Sequence, residues 1–243
     1  MLPHFQFELG RALRAARRLA ADPDDLPQVF TIVESLSGGT LRRIAGGLAK
    51  SQSGRRLLAE RPDIVDRLAD RAALARLPDG SLGRAYLAFV ERENITPEGI
   101  RAASRQGMVH QAELPPPLDY VHARMRDTHD LWHAAVGYQG DLFGEAALLG
   151  FILAQTRNPG IALILGIALL KTRNWPEARA LIADGFRRGR KAAWLPAQEW
   201  ESLLPLPLGE VRSRLSLAAP PVYTPLRTAE FNAQGRLRGR GRL

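Results

Sequence analysis

Along nearly the whole chain, apolar residues recur every three or four positions, and no stretch shows the period-two alternation of β-branched residues that builds a sheet. A chain with this pattern buries its apolar stripes by packing helix on helix. Its glycine and proline breaks then decide where each helix stops. The fold class expected is therefore all-α: a single helical domain over residues 1–217.

The breaks place the elements. Phe5, Leu9, Leu13, Ala16 and Leu19 form the stripe of an amphipathic N-terminal helix over residues 1–20, with Arg11, Arg14, Arg17 and Arg18 mostly off it. Asp24 and Asp25 cap a second helix through Val29, Ile32 and Leu36, which Gly38-Gly39 stops. Further helices are expected over 41–49, 55–60, 64–77 and 82–94. Leu114-Pro115-Pro116-Pro117 is a clear break before one helix over 118–136, where Leu118, Val121, Met125, His129, Trp132 and Val136 share a face. Gly137-Tyr138-Gln139-Gly140 ends it. Asp141 is a good N-cap for the next helix, through Glu145, Leu148, Leu149, Ile152 and Thr156, and Asn158-Pro159 ends that one. Residues 160–170 form an almost wholly apolar helix, 175–190 another, and 199–204 and 208–217 two short ones. From Ala218 the chain is rich in Pro, Gly and Arg, so 218–243 is expected to be a flexible tail.

Composition removes several function classes. There is no cysteine, which excludes disulfides, thiolate zinc sites and cysteine nucleophiles; any metal must be held by imidazole and oxygen. The N-terminus lacks the apolar core of a secretory signal, and the apolar run 160–170 falls well short of the roughly 20 residues that span a bilayer. The chain is expected to be soluble or peripheral rather than integral. The formal net charge is +9, and Lys50, Lys171 and Lys191 are the only lysines. This bias toward arginine, alanine and glycine fits a GC-rich genome rather than nucleic-acid binding. The basic tail after Phe231 also lacks the stacking aromatics that sequence-tolerant RNA binding uses, so no nucleic-acid partner is expected. A basic surface still favours anionic partners such as phospholipid headgroups, and its apolar part is compatible with a homodimer. Neither a Gly-x-Ser-x-Gly elbow nor a phosphate-binding loop is present.

One constellation carries chemistry. In His129-Asp130-Leu131-Trp132-His133 the two histidines are one helical turn apart on one face, with Asp130 flanking them. On a continuous helix Glu145 would sit about 18 Å beyond His133, at ~1.5 Å per residue. The Gly137–Gly140 break removes that obstacle, because a hairpin there brings Glu145 back from the first turn of the next helix. Two imidazoles and two carboxylates then form a candidate cage for a divalent metal. They suit zinc, iron, manganese or cobalt, and magnesium if the carboxylates dominate. The other reading is a helix hairpin closed by ion pairs. The pattern is not that of the zinc proteases, whose His-Glu-x-x-His needs glutamate where Asp130 stands.

His-Asp-x-x-His, with eleven residues between His133 and Glu145, resembles the signature of the COQ-four family of ubiquinone (coenzyme Q) biosynthesis proteins, in its bacterial form. The likeness extends to Asp127-Thr128 before the motif, to Gly144-Glu145-Ala146-Ala147, to Gly185-Phe186-Arg187-Arg188-Gly189-Arg190-Lys191-Ala192 and to Glu199-Trp200-Glu201-Ser202-Leu203-Leu204-Pro205-Leu206-Pro207-Leu208. It covers roughly residues 25–217.

The resemblance implies an all-helical fold, with His129, Asp130, His133 and Glu145 as ligands of a divalent metal, zinc by family habit, and as the reactive centre. It implies a decarboxylase-type lyase. Its substrate would be a polyprenylated hydroxybenzoate intermediate whose carboxylate is lost and replaced by hydroxyl. It also implies other ubiquinone biosynthesis proteins as partners, and a place in the bacterial cytoplasm, peripheral to the cytoplasmic face of the inner membrane. The alternative is a non-catalytic, lipid-binding scaffold with a structural metal. On either reading, residues 160–170 are a candidate lining for the isoprenoid tail.

Overall fold

The computed structural model of the chain describes residues 8–37, 39–109 and 114–233. Among them are fifteen α-helices and no β-strand. They are α1 (Leu9–Ala21), α2 (Leu26–Ser37), α3 (Thr40–Leu48), α4 (Gln52–Glu60), α5 (Val65–Leu68), α6 (Arg71–Ala75), α7 (Leu82–Glu93), α8 (Pro97–Gly107), α9 (Leu118–Asp127), α10 (His129–Val136), α11 (Leu142–Thr156), α12 (Pro159–Lys171), α13 (Pro176–Lys191), α14 (Trp200–Leu203) and α15 (Leu208–Arg214). The all-α expectation holds.

Side-chain caps set the helix starts that matter most for the site. The Asp141 carboxylate accepts from Phe143 N at 3.0 Å and Gly144 N at 3.3 Å. The Asn158 side chain accepts from Gly160 N at 2.8 Å, with Pro159 supplying a preset φ at the first helical position. Gly137, at φ 94°, ends α10 in the left-handed region that glycine enters freely.

The main core surrounds α11, which is apolar on all sides and runs along α13. The two backbones approach closely because Gly150 faces the Ile182 carbonyl and Gly189 faces that of Phe151. Packed round this pair, α7 and α10 contribute Tyr86, Phe89, Leu131, Trp132 and Val136. A second apolar cluster joins α1, α2 and α12 through Ala12, Ala15, Ala16, Leu19, Ile32 and Ile164.

Five sequence expectations change. The single helix over 64–77 is two, α5 and α6, because the Asp70 side chain accepts from Ala73 N at 2.8 Å and starts a new helix. The single helix over 118–136 is two, α9 and α10, joined at Thr128, whose hydroxyl donates to the Arg124 carbonyl at 2.8 Å and competes with the helical ladder. Helix α8 was not anticipated, although Thr96 caps it onto Gly99 N (3.2 Å) and Pro97 opens it. The expected stripe of α1 is rotated. Ala12, Ala15, Ala16 and Leu19 face the core, because small residues let α1 lie close on α2, while Leu9 and Leu13 are 59% and 47% exposed. Phe5 and Gly38 lie outside the described residues.

Finally, the chain from 218 to 233 packs on the body as a strap. Leu226 is buried, its N–H donates to Asp141 Oδ1 (3.0 Å), and its carbonyl accepts from Leu142 N (3.0 Å). Asp141 Oδ1 already caps α11, and its Oδ2 accepts from Tyr223 of the strap at 2.7 Å, so burying this carboxylate favours the Pro-rich segment lying on the body. The rest of the expected tail, 234–243, lies outside the described residues.

Candidate metal centre

His129 and His133 project from α10 and Glu145 from the first turn of α11. The left-handed turn at Gly137 and the Asp141 cap fold one helix back on the other. His133 Nε2 lies 3.2 Å from Glu145 Oε1, and His129 Nε2 lies 3.9 Å from Glu145 Oε2. One ligand atom from each of the three residues lies within 4.8 Å of the others. Ligands bound at about 2.0–2.2 Å to one ion stand roughly 3–4 Å apart, so the set is suitably spaced.

The outer partners fix which nitrogens face that point. His133 Nδ1 is 3.1 Å from the Tyr138 carbonyl, which can only accept, so this nitrogen donates. His129 Nδ1 is 3.1 Å from Asp130 Oδ1 and likewise donates to a carboxylate. A neutral imidazole that donates through Nδ1 keeps its lone pair on Nε2. Both Nε2 lone pairs therefore turn toward Glu145. The ring of His133 is fully buried and stacked on Phe89, with centroids 5.0 Å apart. Its Nε2 is fully enclosed and meets Glu145 Oε1. An enclosed acceptor facing a carboxylate oxygen is unfavourable unless a proton or a metal cation sits between them. The residues present thus fit a divalent ion.

Electrostatics point the same way. Burial opposes ionisation of Glu145, but the facing His133 and His129 outweigh it and hold the carboxyl down at about 2. Burial also opposes protonation of His129, yet the Asp130 hydrogen bond and the Glu145 charge outweigh it and raise its pKa.

Asp130 stands apart from the three-residue cluster. It lies behind His129, where it orients the ring in the way carboxylates commonly support metal-bound histidines. Sequence reading missed three supports: the Phe89 stack, the Tyr138 carbonyl and the strap. Tyr223 donates to Asp141 Oδ2 at 2.7 Å and accepts from Gln139 N at 2.9 Å, and Arg227 pairs with Glu93 at 2.7 Å and with the Gly140 carbonyl at 2.8 Å. The strap thereby clamps the turn that carries Glu145. No local periodicity marks such residues.

His129, Trp132 and Glu145 line one side of a cavity of about 570 Å³. Its other walls are largely apolar, with Val29, Val33, Met125, Leu149, Ile161 and Ile164 among them. A candidate metal site with two of its three residues, His129 and Glu145, on an apolar cavity defines a helical protein with room for a largely apolar ligand. Comparison with known proteins names the group. The family model described as "Coenzyme Q (ubiquinone) biosynthesis protein Coq4" matches residues 6–221, and the chain belongs to that family.

Among curated relatives, the mitochondrial ubiquinone biosynthesis protein COQ4 homolog 1 of Culex quinquefasciatus is 32% identical over 167 residues, covering 69% of this chain and 59% of that protein. The mitochondrial COQ4 homologs of Danio rerio and Mus musculus are 32% and 30% identical, covering 80% and 87% of this chain and 70% and 78% of theirs. The crystal structure of a Nostoc punctiforme protein described as a ubiquinone biosynthesis protein has the same fold. Its TM-score is 0.64 at 24% identity, over 88% of this chain and all of that one.

The titration has a testable sign. The raised His129 pKa gives the metal-free protein stability that is full below the ordinary 6.5 and lost as pH rises through the raised value. The depressed Glu145 pKa gives stability that is full above 4.5 and lost as pH falls toward about 2. From these two groups, the metal-free protein is most stable between those limits. A metal ion competes with the His129 proton. Thermal unfolding with and without zinc should therefore show a metal-induced Tm increase that grows as pH rises through and above neutrality; a flat or shrinking increase contradicts the assignment.

Proposed function

We propose that this ubiquinone biosynthesis family member catalyses a metal-dependent oxidative decarboxylation of a polyprenylated hydroxybenzoate intermediate, replacing the ring carboxylate with hydroxyl. The observation that carries the reading is the cluster of His129, His133 and Glu145, of which His129 and Glu145 line a largely apolar cavity. A prenylated aromatic acid has that polarity, with a charged head beside a long hydrocarbon tail. The chain spans 59% of the length of the Culex relative.

When bound, a divalent ion supplies a Lewis acid that holds a substrate oxygen and stabilises developing charge, and iron or cobalt would add redox chemistry of its own. The residues do the rest. His129, His133 and Glu145 would hold the ion beside the cavity. Asp130 and the Tyr138 carbonyl fix the two imidazole tautomers. Phe89 covers His133 and keeps water from it. The cavity takes the tail. Loss of the carboxylate as carbon dioxide with hydroxylation at the same carbon is a two-electron oxidation; it balances when one water is consumed and dioxygen takes the two electrons and leaves as hydrogen peroxide.

Three protein ligands favour catalysis over a purely structural ion, which is usually enclosed by four. Anaerobic metal analysis followed by turnover of a prenylated hydroxybenzoate under oxygen tests this. His133→Ala should lose bound metal and product together. Asp130→Asn should bind metal about 10–100-fold more weakly. Full turnover by metal-free His133→Ala would sink the proposal and leave the scaffold reading.

Such a substrate resides in a membrane, and one surface suits contact with it. Leu9 and Leu13 are exposed on α1 beside exposed Arg14, Arg17 and Arg18, and Leu170 is 74% exposed on the neighbouring α12. Apolar side chains flanked by arginines match an anionic bilayer surface. No helix among the described residues is long and apolar enough to cross a membrane, so the contact would be peripheral. Co-sedimentation with anionic vesicles should fall several-fold for the Leu9→Glu/Leu13→Glu double variant, whose positions lie outside the core; unchanged binding rejects this surface.

A further inference from the structure

The cavity wall built by α9 and α10 carries a polar group with no task so far. His122 is two helical turns before His129, so the two lie on the same side of the α9–α10 segment, about 10 Å apart along it at ~1.5 Å per residue. Both line the cavity, with Met125 and Arg126 between them. His122 is 8% exposed. Its ring makes no hydrogen bond among the described residues, and neither ring nitrogen is among the fully enclosed, unpartnered polar atoms. Both nitrogens therefore keep their access from the cavity.

The other polar lining groups are mostly committed to the protein. Ser37 and Thr172 bond back to helix carbonyls, and Asn158 caps α12. Arg126 gives Nε and Nη2 to Asp127, at 2.6 and 3.0 Å. Three lining groups are not: the Trp132 indole N–H, which is fully enclosed, the exposed Lys171, and His122, which is buried yet keeps both ring nitrogens accessible. Burial, with the Arg126 charge adding to it, pushes its pKa down to about 4, so the ring is neutral at physiological pH. A neutral imidazole offers one donor and one acceptor, the same complement as a phenolic hydroxyl.

We propose that His122 is a specificity-determining residue, whose ring hydrogen-bonds the hydroxyl of a para-hydroxybenzoate while its carboxylate lies at the His129–His133–Glu145 centre. This rests on the function proposed above and adds to it the part of the substrate that is read. A para-substituted ring plus a metal–oxygen bond of roughly 2 Å approaches the span between the two points. A hydroxyl held there also fixes the carboxylate-bearing carbon against the centre. Arg126 on the same wall is engaged by Asp127, so a ligand without the hydroxyl leaves the buried His122 imidazole unpaired, which makes the contact selective.

The test measures binding of two probes to zinc-loaded protein: a geranyl-substituted para-hydroxybenzoate, and the same benzoate without the hydroxyl. Wild type should prefer the hydroxylated probe by about tenfold or more, the worth of one buried hydrogen bond. His122→Leu should abolish most of that preference while keeping zinc stoichiometry, Tm and affinity for the probe without hydroxyl. His122→Gln, which keeps a donor and an acceptor, should retain part of the preference. A purely structural His122 would change both affinities alike. Undiminished preference in His122→Leu, or none in wild type, overturns the inference but leaves the metal centre standing. Wild type binding neither probe, or His133→Ala binding both unchanged, removes the underlying functional reading along with it.

Discussion

His133 Nε2 and Glu145 Oε1 face each other 3.2 Å apart inside this protein, and the nitrogen is fully enclosed. With His133 Nδ1 committed to a carbonyl, the pair needs a proton or a metal cation between its two atoms. The structure around them accounts for how that pairing is held. The Tyr138 carbonyl fixes the His133 tautomer, Phe89 blocks the face of its ring, and Asp130 does for His129 what the carbonyl does for His133. Each support removes an alternative by which the lone pairs could turn away. A cation is the group that satisfies them all at once.

Holding Glu145 there depends on a second layer. Asp141 caps α11 and also receives Tyr223 and Leu226 from the strap. One buried carboxylate thus ties the start of the Glu145 helix to the C-terminal part of the described chain. Phe231 of the same segment packs on Trp175 and lines the cavity. The strap consequently acts on both components of the site, the turn that presents the carboxylate and the wall that receives an apolar ligand. Close approach of α11 and α13 at Gly150 and Gly189 gives this arrangement a rigid floor.

Much of this was legible in the residues. A four-residue spacing puts His129 and His133 on one face, and a glycine turn followed by Asp141 is a readable hairpin that returns Glu145. Spacing alone does not say which ring nitrogen faces inward, because that depends on the partner of the other nitrogen. Nor does it fix the place of Asp130. Neighbouring helix positions differ by about 100° in direction, so Asp130 backs His129 rather than joining His133 and Glu145. The strap was read as loose because proline and arginine suggest disorder; its order comes from a buried carboxylate 82 residues away in sequence. On α1 the leucines drew the eye, whereas the alanines make the contact, since close helix packing rewards small side chains and leaves the larger ones outside.

The central claim is that His129, His133 and Glu145 together bind one divalent ion with positions left open to the cavity. X-ray absorption spectroscopy on the metal-loaded protein measures that shell directly. The account predicts two imidazole nitrogens and one carboxylate group at about 2.0–2.2 Å, completed by exchangeable light atoms. A shell without imidazole, or one closed by protein ligands alone, would contradict it.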